Sequence, residues 1–305
     1  MKRPQILSRL LMLAFCLIFV GPIYGCSLRG HTLVCFGDGF TAGIGALPEQ
    51  SWPSLLQKRI VLQELEIINL GYDGDTARNV SHRIKTDIIQ HRPKMLIIFL
   101  GAGDIFPLGS VAAAYEQFPS VKTNFQNLVA GISDGVSEVQ HDRPYYKFPK
   151  TYIVNTFGTT DTSAKVLHSA LKRKDLFLQD GTDDFHAMLT VHGKMLEGFA
   201  QANGFDFIDN VWYGILDVTA NISEDGIHPN ANGYKVMEEN IFVQLKPYIE
   251  KNYWVDGKMP IQTLLLILLG PIIFFMLIVF ALYACIKIIQ KFIQHITQRA
   301  PETYN

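Results

Sequence analysis

Between residues 32 and 252, apolar runs of strand length alternate with segments of helical period, and this alternation constrains the chain more than any other feature. The runs cover residues 32–37, 66–70, 94–100, 151–155 and 205–208. Strands that are apolar along their whole length are buried on both faces, which calls for parallel neighbours joined by crossover helices. The intervening segments supply such helices. Val80, Ile84 and Ile88 form one apolar stripe, Phe125, Leu128, Ile132, Val136 and Val139 a second, and Met188, Met195 and Phe199 a third. A last helix over about residues 231–251 carries Tyr234, Met237, Ile241, Leu245 and Tyr248. The pattern predicts an α/β domain over residues 30–252, built on a five-stranded parallel sheet with helices on both faces. The polar stretch 158–184 has no strong period and reads as an insertion beside the site, more simply a surface loop than a lid.

The two ends of the chain point to export. Lys2, Arg3 and Arg9 precede an apolar run over residues 10–20 and then Gly21-Pro22, the layout of a signal sequence over residues 1–26. That run suits a signal better than a spanning helix. Ile23-Tyr24-Gly25-Cys26 resembles a bacterial lipobox, which makes Cys26 a lipidation candidate; an uncleaved anchor and ordinary cleavage are the alternatives, and all three export the domain behind the segment. At the other end, residues 261–286 carry no charge, and at ~1.5 Å per residue such a helix crosses a bilayer even when tilted. A transmembrane helix is expected over residues 259–287. Lys258 precedes it while Lys287, Lys291 and Arg299 come after, so the positive-inside rule puts a tail over residues 288–305 in the cytoplasm.

Charge removes one class of partner. With a formal net charge of -1 and a pI near 6.7 there is no basic field to collect phosphates, and Lys172-Arg173-Lys174 reads as a solvated surface run, so nucleic acid is not expected. Four scattered cysteines make no disulfide framework. His186 and His192 lie six apart, off the spacing of a helical metal pair, so neither a metal nor a cofactor is expected.

In open parallel sheets ligands bind beyond the carboxyl ends of the strands, so the turns there hold the candidate chemistry. Gly37-Asp38-Gly39-Phe40-Thr41 comes after the first strand and Asn69-Leu70-Gly71-Tyr72-Asp73-Gly74-Asp75-Thr76 after the second. Gly101-Ala102-Gly103-Asp104 succeeds the third, and Asp225-Gly226-Ile227-His228-Pro229 precedes the last helix. In this order the four turns resemble those of the SGNH, or GDSL, hydrolases, a family of serine esterases and lipases, and the likeness extends over most of residues 32–250. The resemblance implies a flavodoxin-like three-layer sandwich. It also implies roles: the family's nucleophilic Ser falls on Gly39, after a matched Asp38, and its oxyanion-hole Gly falls on Gly74. The oxyanion-hole Asn falls on Gly103, and the acid and base fall on Asp225 and His228, which both match.

A hydroxyl attacks an acyl carbon only when an imidazole takes its proton and a carboxylate holds that imidazole. Gly39 offers no oxygen to activate, a loss that costs on the order of a millionfold in a serine protease. Gly103 offers no side-chain donor, a loss of about a hundred- to a thousandfold. Thr41 is read as a cap or turn residue and Cys35 as a small buried hydrophobe. The expectation is a membrane-tethered, exported domain, degenerate as a serine esterase and kept for binding or scaffolding, with an envelope glycan or protein as its ligand. The alternative is an active hydrolase of esters, lipids or acetylated glycans, using a water deprotonated by His228 or an unrecognised nucleophile. A third reading makes the chain a structural membrane protein with a vestigial pocket, Asp225 and His228 merely closing a turn. Because the first strand starts close after Cys26 and the last helix ends near Asn252, both anchors are expected at the amino end of the sheet, with the pocket facing away from the membrane.

Overall fold

The computed structural model describes residues 31–60, 65–157, 161–174, 181–252 and 261–299; the expected signal segment and Cys26 lie outside them. In chain order the elements are β1 His31–Gly37, the single helical turn α1 Gly39–Ala42, α2 Trp52–Arg59, β2 Leu65–Gly71, β3 Met95–Phe99, the short α3 Ala102–Ile105, α4 Val111–Asp142 and β4 Lys150–Val154. After these come α5 Asp161–Arg173, α6 Thr182–Ala202, β5 Asp206–Ile208, α7 Ala231–Asn252 and α8 Ile261–Arg299.

All five strands run parallel in the order β2-β1-β3-β4-β5, the flavodoxin-like arrangement, with the chain reversing direction across the sheet between β1 and β3. Leu33 to Phe36 of β1 and every residue of β3 are fully buried, as expected of central strands covered on both sides. On one side lie α2 and α7, tied where Arg59 Nε and Nη2 each donate to the Glu238 carboxylate at 2.7 Å. On the other, α4 and α6 meet through Phe125 and Phe199, whose ring centroids are 5.6 Å apart. Gly131 and Gly135 of α4 leave room for the side chains of Ile84 and Ile89, where a Cβ would come within 2.7 and 2.5 Å.

Two expectations need correction. The stripe of Val80, Ile84 and Ile88 is buried, but not on an α-helix: a 3-10 turn (Val80–Arg83), a π turn (Ile84–Ile88) and a second 3-10 turn (Ile89–His91) succeed one another. The uneven winding lets both Ile88 and Ile89 reach the core, which a regular helix would not do for this spacing. The stretch 158–184 holds α5 and the start of α6 instead of a loop. Its buried face consists of Ala164, Leu167, Ala170 and Leu171 with the polar Ser163 and His168, so small and polar residues dilute the apolar period. The apolar helix at the C-terminal end runs over Ile261–Arg299.

The chain divides into two compact units, one through Pro247 and one from Tyr248. In the second, α8 contains the apolar segment Ile267–Gln290, of mean hydropathy 2.8, long and apolar enough to cross a membrane.

Candidate active site

The ends of β1 and β2 meet at glycines because the chain crowds there. Gly37 pairs with Gly71; a Cβ on Gly37 would come 2.5 Å from the Phe99 carbonyl oxygen, and one on Gly71 would strike the Ala42 backbone nitrogen. The turn α1 therefore sits directly on the carboxyl end of the sheet. Asp38 caps it, Oδ1 accepting from the Phe40 N–H at 3.1 Å. Its Oδ2 is buried without a hydrogen-bond partner. Burial pushes the Asp38 carboxyl up to about 8; the Phe40 N–H opposes that rise, and the nearby Asp104 and Asp75 charges add to it. At neutral pH the group is mostly protonated.

Across from α1, the turn before α7 carries a fully bonded pair. Asp225 Oδ2 lies 2.5 Å from His228 Nδ1, while Oδ1 accepts from the Ser223 hydroxyl at 2.7 Å and from the N–H groups of Ile227 and His228 at 2.8 and 2.9 Å. Burial raises the Asp225 carboxyl, but these donors outweigh it and hold the group well below the usual carboxylate range. With Nδ1 turned to Asp225, His228 presents its other ring nitrogen, Nε2, to the cleft. Phe40 steadies the ring at 5.1 Å between centroids and itself meets Trp212 edge-on at 4.8 Å.

His228 Nε2 is aimed over Gly39. A Cβ on Gly39 would lie 3.0 Å from Nε2, 2.8 Å from Asp73 Oδ1 and 3.4 Å from Ile44 Cγ1. Gly74 has φ +80°, and a Cβ there would meet nothing within 4 Å. Gly103 is different: a Cβ would come 2.8 Å from the backbone oxygen of Asp75 and 3.0 Å from Thr76 Cγ2, so the turn after β2 lies against the start of α3. That turn is held from both sides. Ala77 N–H donates to Asp104 Oδ2 at 2.8 Å, and Arg83 binds Asp75 through Nη2 and Asp87 through Nη1 while its guanidinium stacks 4.3 Å from the ring centroids of Phe36 and Tyr72.

The structure thus brings Asp38, Gly39, Gly74, Gly103 and His228 to one cleft of about 160 Å³, with Asp225 behind the imidazole. Phe40, Phe106, Pro107 and Ile227 form its apolar walls. Thr41 is fully buried with no partner for its hydroxyl, packed against Gly37 away from the cleft, so the capping role expected of it belongs to Asp38. Cys35 is fully buried and its thiol is pushed up by burial. Among the described residues no cluster of His, Cys, Asp or Glu is disposed to hold a metal ion.

Sequence reasoning did not single out Asp73 or Arg83. Asp73 stands immediately before Gly74, and its carboxylate reaches over Gly39 from the turn after β2. Arg83 interrupts the stripe formed by Val80, Ile84 and Ile88, and a cation there needs buried anions to face.

Residues 33–241 match the family model described as GDSL-like Lipase/Acylhydrolase. The chain is 35% identical over 133 residues to an arylesterase of Vibrio mimicus, covering 42% of this chain and 59% of the relative. It is 30% identical over 98 residues to esterase TesA of Pseudomonas aeruginosa (32% and 48%), and 34% identical over 99 residues to the uncharacterized lipoprotein YqeF of Bacillus subtilis (30% and 40%). The matches therefore span 40 to 59% of the length of these relatives. Among solved structures, one of TesA superposes with a TM-score of 0.52 at 18% identity over 71% of this chain and 99% of that one. The lipase Lip_vut3 from a goat rumen metagenome superposes with a TM-score of 0.51 at 13% identity over 70% and 96%. These likenesses establish the shared fold. With a family match that runs from β1 into α7, the chain belongs to the GDSL-like lipase/acylhydrolase family.

Proposed function

We propose that this chain is a membrane-tethered, exported member of its family that is degenerate as a serine esterase and uses its cleft for ligand binding or scaffolding in the cell envelope. One observation carries the reading: the imidazole that should activate a hydroxyl faces the bare Cα of Gly39, with no oxygen between them to attack an acyl carbon. The contact of Gly103 with Asp75 supports it, since an Asn side chain there would need the backbone to move. The name of the lipoprotein relative and the apolar α8 support tethering, by Cys26 or another anchor at one end and by the spanning helix at the other. The charges flanking that helix support a cytoplasmic C-terminus by the positive-inside rule.

The second reading, hydrolysis by a water that His228 deprotonates, is favoured by the fully bonded His228–Asp225 pair. Hydrolysis of 4-nitrophenyl acetate by the full chain in detergent separates the two. The expected result is no turnover above a His228→Ala control, with activity appearing in Gly39→Ser, whose new side chain can displace the Asp73 carboxylate. His228-dependent turnover in the unmodified chain overturns the preferred reading. Adding Gly103→Asn to Gly39→Ser is expected to lower stability.

A further inference from the structure

Building on the reading of the cleft as a binding site, we propose that it receives a small ammonium group, with Asp73 as its counter-ion. Two groups converge on one point over Gly39: Asp73 Oδ1 lies 2.8 Å and His228 Nε2 3.0 Å from where a Cβ would be. A carboxylate accepts hydrogen bonds, and so does Nε2 while Nδ1 donates to Asp225. Neither Gly39 nor Gly103 has a side chain to donate to them. An ester carbonyl brings a further acceptor to this point and is repelled, whereas an ammonium brings donors and a positive charge.

Among the described residues no Lys, Arg or His forms an ion pair with Asp73. Arg83 is committed to Asp75 and Asp87. Lys174 stands 3.9 Å from Asp225, which also holds His228 Nδ1 at 2.5 Å. Asp38 contributes no second full charge, because burial keeps it protonated. The walls suit the carrier of a cation. Phe40, Phe106 and Ile227 line the cleft, so a short apolar stem can lie against them. A cleft of about 160 Å³ has room for such a group.

The test titrates three probes of similar shape, n-butylammonium, butan-1-ol and butyrate, into the detergent-solubilised full chain by ligand-observed NMR. The ammonium is expected to bind roughly three- to tenfold more tightly than the alcohol, with butyrate weakest. Asp73→Asn, a change at an exposed position, is expected to erase the gap between ammonium and alcohol while leaving alcohol affinity and thermal unfolding unchanged. Glucosamine and Nα-acetyl-lysinamide, titrated alongside, show whether a sugar or a peptide is the better carrier, and either preference must vanish with Asp73→Asn. Equal affinity for ammonium and alcohol, or a preference that survives Asp73→Asn, overturns the inference. His228-dependent ester hydrolysis in the same preparation overturns instead the binding reading on which it rests.

Discussion

At the scale of single residues, Asp38 ties the cleft to the stability of the fold. Its folded pKa of about 8 lies above the ordinary 3.8, so the folded chain holds a proton that the unfolded chain releases between those values. The unfolded state then binds fewer protons, and stability falls as pH rises through that window before levelling off above it. Asn at position 38 keeps an oxygen for the Phe40 N–H and has nothing to titrate. Urea unfolding at a series of pH values is therefore expected to show a decline from about pH 4 to about pH 8 that is weaker in Asp38→Asn. The residues of the site differed in how far they could be read in advance. Asp225 and His228 sit in one short turn, and their bonding is dictated by local geometry, so their pairing was legible. The nearness of Asp73 to Gly39 joins two turns from different strands, which no local pattern encodes.

At the scale of elements, the turn after β2 depends on Arg83. This guanidinium is one-tenth exposed and faces the carboxylates of Asp75 and Asp87, which are nearly as buried. Replacing one partner of such a cluster leaves its counter-charges stranded in low dielectric. Arg83→Met is expected to lower the unfolding free energy by about 3 kcal/mol or more, and adding Asp75→Asn and Asp87→Asn is expected to recover most of it. Denaturant titration of the three forms checks this. The five strands were legible because fully buried runs differ from everything around them. The winding of residues 80–91 was not, since 3.6-residue periodicity locates a buried face without saying how evenly the backbone turns. Helix α5 escaped notice for a different reason: a face built from Ala164, Ala170, Ser163 and His168 packs well but contrasts little in hydropathy with its surroundings.

At the scale of the whole molecule, the proposed topology has a direct readout. A cysteine replacing Tyr145, which is 91% exposed, is expected to react with a membrane-impermeant maleimide in intact cells or spheroplasts, whereas one replacing Thr303 is expected to react only after permeabilisation. Labelling of the tail in sealed cells would reverse the assignment. The apolar helix was plain from composition, because sequence hydropathy marks which side chains suit lipid and leaves open where the backbone stops coiling. The 39 residues of α8 make a helix about 58 Å long, against a hydrocarbon layer of roughly 30 Å. In the proposed topology the apolar segment Ile267–Gln290 fills that layer, and the same helix goes on past it to Arg299. The residues after Gln290 then follow any tilt of the segment in the lipid directly, as a rudder follows its tiller.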